Sequence, residues 1–404
     1  LFRAEKSKAA QAKTRDSGKR YLCSAAVSHM ICMPPAFLIF GGGKEEPVLK
    51  KLSVCVLFGG VSSEHEVSLR SAESVLNRLD KDKYHIFPVG ITKDGDWILF
   101  GGKDYGMLPA GTWQNCEENR RAAISPVRGQ GLLSFEGDCV VRERIDVVFP
   151  VLHGENGEDG AMQGLLQMAG IPYVGPHIAA SAVAMDKSLT KLVADQAGVP
   201  QAAWQLVRAG ELENHMENTL DLLENRFRYP MFVKPAGTGS SVGVSKVGDR
   251  DALRSGLRYA GKYDKKILVE EFINGKEIEV AVMGNDNPMA SICGEIDSGA
   301  EFYDYDAKYL TETSKAYIPA RIPAEVEEVV RETAVKVYNA VGCQGLSRVD
   351  FFVTHDENRV VFNEINTLPG FTSISMYPKL FEASGIPYSQ LIDELLRLAV
   401  EAFR

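Results

Sequence analysis

No uninterrupted apolar run in the sequence is long enough to span a membrane, so no bilayer-crossing helix is expected. There is no excess of positive charge either. The 404 residues carry a formal net charge of −9, and no basic stripe occurs after the first stretch of the chain, which argues against a nucleic-acid partner. The cysteines at 23, 32, 55, 116, 139, 293 and 343 contain no CxxC pair. Scattered and odd in number, they read as reduced core thiols of a cytoplasmic protein rather than a disulfide frame or a zinc site. A GxGxxG fingerprint is missing, which excludes a dinucleotide fold of that type. No Gly-Lys-Ser/Thr opens a helix, which excludes a Walker A loop. What is present is 45% apolar residues in an ordinary globular composition, sized for two or three domains.

Residues 3–20 are basic, and 21–40 are patchily apolar but broken by Ser, His and a Pro pair. The segment resembles a poor signal or transit peptide, but reads more strongly as a disordered or spurious leader. Organised structure is expected from "KKLSVCVLFGG" onward, and residues 1–50 are left outside the fold. From Leu52 strands and helices alternate. "LSVCVLFGG", "HIFPVGIT", "DVVFPVLHG" and "IPYVG" read as strands; "VSSEHEVSLRSAESVLNRL" and "DGAMQGLLQMAG" read as helices, the first with Val67, Leu69, Val75, Leu76 and Leu79 on its apolar face. Such βαβ alternation predicts a parallel sheet covered by helices, with ligands at the carboxyl ends of its strands, where Glu64 and His153 fall. The interval 92–144 reads as a hairpin insertion.

"RVDFFVTHDENRVVFNEIN" carries two runs rich in Val and Phe around the turn-forming "THDEN", an antiparallel hairpin centred near Glu357. Symmetric pairing sets Asp350 opposite Glu364 and Arg348 opposite Asn366, all four on one face, with Val349, Phe351 and Val353 on the core face. Like charges directly opposite each other are destabilising. A divalent cation held by two carboxylates and the Asn366 amide would relieve them. Oxygen ligands without Cys or His suit Mg²⁺ or Mn²⁺. The other reading is a solvated hairpin face with one surface ion pair.

"YPMFVKPAGTGSSVGVSKV" places Lys234 on a strand before a loop of Gly237, Thr238, Gly239, Ser240 and Ser241. Small residues there let backbone N–H groups approach phosphates, although a plain hairpin has the same composition. "EFYDYDAKYLTETSKAYIP" has no period and reads as a long loop of the kind that acts as a lid.

Taken in order, "GGVSSEHEVS", "LHGENGEDG", "MDKSLTK", "VKPAGTGSSVGVSKV", "EFYDYDAKY", "SRVDFF" and "NEINTLPGFTS" resemble the D-alanine–D-alanine ligase family of the ATP-grasp superfamily, from about Leu52 to the C-terminus. The resemblance implies an α/β fold that is α+β in its ATP-grasp part. It divides into an N-terminal parallel-sheet α/β domain over 51–175, a central ATP-grasp domain over 176–268, and a C-terminal ATP-grasp domain over 269–404 with the metal hairpin and the lid. It implies ATP-dependent joining of two D-alanines through an acyl phosphate, for peptidoglycan precursor synthesis, in a cytoplasmic homodimer.

Carried over by motif, Asp350, Glu364 and Asn366 match the ligands of two Mg²⁺ or Mn²⁺. Lys187, Lys234 and Lys308 match phosphate-contacting lysines, with Ser241 in the ATP loop. Glu270, Phe272, Ile273 and Glu277 fall where the family holds adenine and ribose. Arg348 and the N–H of Gly370 match the groups that stabilise the tetrahedral intermediate. Glu64 would hold the first ammonium in a set with Ser240 and Tyr309, Ser375 the second carboxylate, and His153 lies near the substrates. Met376 beside Ser375 is expected to offer an apolar surface suited to a D-alanine acceptor. Two rivals stay open: a ligase of the same fold that takes D-serine or D-lactate as acceptor, and a nucleotide-binding protein without catalysis.

Overall fold

The computed structural model describes residues 21–22, 51–239, 242–297 and 315–403. The first sheet is built around β2 (Leu52–Gly59), which runs parallel to β3 (Tyr84–Ile91) on one side and β8 (Val147–Leu152) on the other. Val54 to Phe58 are fully buried, as expected of a strand covered on both faces. Alternation divides that run between two layers. Val54, Val56 and Phe58 meet Leu69, Ala72, Val75 and Leu76 of α1 (His65–Arg78), while Cys55 and Leu57 face Met162 and Leu166 of α2 (Ala161–Ala169). Within α1, Val67 departs from the expected apolar face and points to the cavity described below.

The insertion extends this sheet as an antiparallel meander through β4 (Trp97–Leu99), β5 (Arg120–Ile124), β6 (Leu132–Glu136) and β7 (Cys139–Glu143), so the sheet is mixed rather than wholly parallel. Trp113 pins the insertion, its indole buried edge-on to Phe58 with ring centroids 5.2 Å apart. Gly90 makes room for it, since a Cβ there would lie 2.4 Å from the Trp113 ring. Two findings differ from the sequence reading. "IPYVG" forms no strand, only a single bridge between Tyr173 and Val148. Of the leader, Tyr21–Leu22 (β1) pair with β7 at the sheet edge, where a free edge accepts any extended segment.

"AASAVAMDKSLTKLVADQAG" folds as two helices, α3 (Ile178–Met185) and α4 (Lys187–Gln196). Asp186 is extended between them, and its carboxylate accepts from the N–H groups of Ser188 and Leu189 to cap α4. A second sheet has the order β11 (Ser245–Val247), β10 (Met231–Pro235), β12 (Lys266–Glu271), β9 (Trp204–Arg208), with α5 (Ala209–Arg226) and α6 (Arg250–Ala260) packed on one face.

The third sheet has the order β15 (Lys315–Tyr317), β14 (Met289–Asp297), β13 (Gly275–Gly284), β16 (Gly345–Thr354), β17 (Val360–Asn366). It is covered by α7 (Ala324–Val341) and by α3 and α4. The last helices, α8 (Met376–Ala383) and α9 (Tyr388–Ala402), fill one core with Val54, Val56 and Phe58 of the first sheet. Among the described residues no helix is long and apolar enough to cross a membrane.

The hairpin β16–β17 pairs Arg348 with Asn366 and Asp350 with Glu364, the register expected from its sequence. Toward the turn a β-bulge shifts the pairing to Phe351 with Phe362 and Val353 with Val360, leaving Asn363 as the extra residue. Val349, Phe351 and Val353 lie in the core.

Candidate active site

The carboxyl ends of β2 and β8 meet the second and third sheets around a cavity of about 750 Å³. From the first sheet come Glu64, the N-cap residue of α1, and His153, just past β8. Glycine backbone lets two loops close on Glu64: a Cβ at Gly154 would lie 2.7 Å, and one at Gly239 3.0 Å, from its carboxylate. His153 is buried, with Nδ1 3.0 Å from the Leu368 carbonyl and Nε2 3.2 Å from Ser71 Oγ. Burial lowers its pKa, against the opposing pull of Glu64.

Glu158 lies beneath them. Its two oxygens accept from the N–H groups of Gly154 at 2.8 Å and Leu368 at 3.1 Å. Burial, reinforced by the neighbouring Glu64, pushes its carboxyl up to about 8.

The opposite wall is cationic. Lys234 on β10 meets Glu270 of β12 at 2.6 Å, and Lys191 reaches the other oxygen of Glu270 at 3.1 Å. Lys191 is only 2% exposed. Burial pushes the Glu270 carboxyl up, but the two ammonium groups outweigh it and hold the group below the usual range. Lys234 lines the cavity and is the cation of this pair placed to meet phosphate, while Lys191 lies behind it and burial lowers its pKa. Lys187, first residue of α4, donates to the Thr238 carbonyl at 2.8 Å and lies 3.7 Å from Glu364. Beyond Glu270 the wall turns apolar. Phe272 stands 6.1 Å from the Phe232 ring, with the Lys246 ammonium 4.5 Å from its own centroid, and Ile273 and Glu277 line the same side.

Arg348, Asp350, Glu364 and Asn366 all reach the cavity from the hairpin face. Arg348 grips Asp350 through two hydrogen bonds of 2.8 and 2.7 Å and lies 3.3 Å from Glu279 on the next strand. Asn366 Nδ2 donates to Asp350 at 2.9 Å. The opposed carboxylates are thus met by a half-buried cation of the chain itself, Arg348, rather than by the surface ion pair of the alternative reading. Among the described residues no group of three or more His, Cys, Asp and Glu is arranged to hold a metal ion. The donor set of Asp350, Glu364 and the Asn366 amide is nonetheless all-oxygen and open to the cavity, which fits a hard divalent ion.

Gly370 lines the cavity, whereas Ser375 stands behind it: a Cβ on Gly370 would lie 2.7 Å from Ser375 Oγ. Ser375 Oγ accepts from the Thr372 N–H at 3.0 Å. Met376 departs from the expectation. It does not line the cavity, and its side chain is 6% exposed, packed over Gly294, because the first residue of α8 points down onto the third sheet. Ser240, Ser241, Lys308 and Tyr309 lie outside the described residues. Lys191, Glu158, Ser71 and Glu279 were not anticipated from the sequence. Only Lys191 left a signal there, one helical turn after Lys187 on the same face.

Residues 53–176 match the family model of the D-ala D-ala ligase N-terminus, and residues 193–397 that of the D-ala D-ala ligase C-terminus. The chain is 49% identical over 365 residues to the D-alanine--D-alanine ligase of Acetivibrio thermocellus, covering 87% of this chain and 97% of that protein. Among solved structures it resembles the VanG D-Ala:D-Ser ligase from Enterococcus faecalis, with TM-score 0.78, 38% identity, and coverage of 87% of this chain and 100% of that one. It also resembles the D-alanine-D-alanine ligase from Coxiella burnetii, with TM-score 0.75, 35% identity, and coverage of 88% and 95%. Both halves of the chain, and the cavity between them, thus identify a member of the D-alanine–D-alanine ligase family.

Proposed function

We propose that the protein joins two D-alanines into D-alanyl-D-alanine at the expense of ATP, supplying a peptidoglycan precursor. The observation that carries this reading is the convergence on one cavity of a cationic wall, an apolar shelf and the Glu64 carboxylate at the helix start. Adenine lies on Phe272 and Ile273, with Glu277 taking a ribose hydroxyl pair. Lys187 and Lys234 hold the phosphates, joined by Lys308 and the Ser241 loop. Glu64, with Ser240 and Tyr309, holds the ammonium of the first D-alanine, so that its carboxylate faces the γ-phosphate.

That carboxylate attacks the γ-phosphorus, and ADP leaves. The amine of the second D-alanine, whose carboxylate lies toward Ser375, attacks the acyl carbon, and Arg348 with the Gly370 N–H stabilises the tetrahedral oxyanion until phosphate departs. Asp350, Glu364 and Asn366 would hold two Mg²⁺ or Mn²⁺, which when bound neutralise charge on the β- and γ-phosphates. The loop read from the sequence as a lid, 301–319, lies largely outside the described residues.

The domain division at 51–175, 176–268 and 269–404 is supported by the three sheets. Two adjustments follow from packing: β12 carries the second sheet to Glu271, and α3 with α4 belongs to the core of the third. A cytoplasmic homodimer completes the reading. Its support is chemical for the compartment, since Cys55, Cys116, Cys293 and Cys343 stand outside any disulfide, and rests on the family resemblance for the dimer. Phosphate release on adding D-alanine and ATP, with the dipeptide identified by mass, tests the reading. ATP binding without D-alanine-dependent turnover would overturn it.

A further inference from the structure

Gly370 sits inside the segment Leu368–Phe371, and both ends of that segment are held by side chains from the first sheet's layer. The Leu368 N–H donates to Glu158 at 3.1 Å, and its carbonyl accepts from His153 Nδ1 at 3.0 Å. The Phe371 N–H donates to Ser71 Oγ at 3.2 Å, and the same hydroxyl lies 3.2 Å from His153 Nε2. The directions follow from the chemistry of each atom. Nδ1 faces a carbonyl and must carry a proton. Nε2 of the neutral ring is then an acceptor, so Ser71 donates to it and uses its lone pairs for Phe371. The charged groups facing His153 are Glu64 from the start of α1, which favours the imidazolium, and Arg348 from β16, which opposes it. Burial, with Arg348 on its side, outweighs the pull of Glu64 and lowers the pKa of the ring.

Ser71 is fully buried on α1 and does not line the cavity. From the other side, the Tyr388 hydroxyl donates to the Phe371 carbonyl at 2.6 Å, and the Phe371 ring stands edge-on to Phe149 at 5.5 Å. The segment is fixed at Leu368 and again at Phe371, so the direction of the Gly370 N–H between them is set by these anchors.

We infer that Ser71 is a positioning residue of the ligase reaction: the chain Phe371–Ser71–His153–Leu368 aims the Gly370 N–H at the oxyanion, with His153 serving as a neutral relay rather than as acid or base. This rests on the reading of Gly370 given above. A preorganised donor is effective only at the place the oxyanion will occupy, so a small drift of this segment costs transition-state binding while leaving ATP binding alone.

The test is Ser71→Ala, with kcat and KM measured for ATP and D-alanine. Alongside them goes the affinity for a phosphinate analogue of D-alanyl-D-alanine, whose tetrahedral phosphorus mimics the intermediate. Expected are a kcat about 10-fold lower, equivalent to about 1.4 kcal/mol, a matching loss of phosphinate affinity, and a KM for ATP within about 2-fold of the parent. Ser71→Cys keeps the volume with a weaker donor and should fall between, and it carries the comparison should the alanine variant fold poorly.

Turnover and phosphinate affinity unchanged in both variants would overturn the inference, as would a parallel rise in KM for ATP. A parent protein that releases no phosphate with D-alanine would instead overturn the ligase reading. An active parent with indifferent variants removes the relay alone.

Discussion

Asp350 and Glu364 stand directly opposite each other across the β16–β17 ladder, and the guanidinium of Arg348 closes on Asp350 with two hydrogen bonds of 2.7 and 2.8 Å. The hairpin thus gathers two carboxylates on a cavity wall and balances them from within. The same face presents the oxygens of Asp350, Glu364 and Asn366 to the cavity, a donor set suited to a hard divalent ion.

Asp350→Asn or Glu364→Gln is expected to lower kcat by about 10²-fold or more, a loss of about 3 kcal/mol of transition-state stabilisation. The fold should persist, since either change also relieves like-charge repulsion. Chelation should abolish turnover of the parent protein, and Mg²⁺ or Mn²⁺ should restore it. Near-normal turnover of either variant at saturating Mg²⁺ would remove the hairpin from the metal site.

Lys191→Met should raise the KM for ATP by about 10-fold while changing kcat little. Without Lys191, Glu270 has Lys234 as its remaining ammonium partner and draws more of that charge away from the phosphates. Steady-state kinetics at saturating D-alanine would show it, and an unchanged KM would mean that Lys191 serves packing alone.

Glu270 predicts a pH effect on stability. Its folded carboxyl is held below the usual range, so the stabilisation is complete above the unfolded value of about 4.3 and is lost as pH falls through the folded value. Glu270→Gln should therefore flatten the acid side of the stability curve. Near pH 7 it should cost about 3–5 kcal/mol, because the buried Lys191 ammonium and the half-buried Lys234 ammonium lose their counter-charge. Urea denaturation at a series of pH values measures both, and an acid limb as steep as that of the parent would contradict the assignment.

The burial of Met376 turns a selectivity question into a stability one. Met376→Arg would place an unpaired charge against Gly294 and Leu380, and a loss of several kcal/mol with a lower Tm is expected rather than a new acceptor. Competition among equal D-alanine, D-serine and D-lactate, with products resolved by mass, should give D-alanyl-D-alanine as the main product. A dominant mixed product would align the chain with acceptors of the kind named for the VanG relative.

The hairpin register was legible because strand alternation and a short polar turn leave few ways to pair two runs. The bulge at Asn363 was not, since an extra residue is visible only against its partner strand. The break at Asp186 between α3 and α4 went unread within a stretch of continuous helix formers, although Asp before Lys-Ser is a cap signal. Lys191 escaped because a lysine on a polar-looking helix is assigned to solvent by default. Glu158 and Ser71 had no local signal. Their partners at Leu368 and Phe371 lie far along the chain, and a lone serine on an amphipathic helix reads only as a small core residue.

The last helix, α9, contributes Leu391, Leu395 and Leu396 to the same core as Val54, Val56 and Phe58 of β2. During synthesis, then, the layer that α1 forms over Val54, Val56 and Phe58 stays incomplete until α9 has been made and packs beside it. Truncation at Tyr388 should leave an aggregation-prone nascent product rather than a smaller working enzyme.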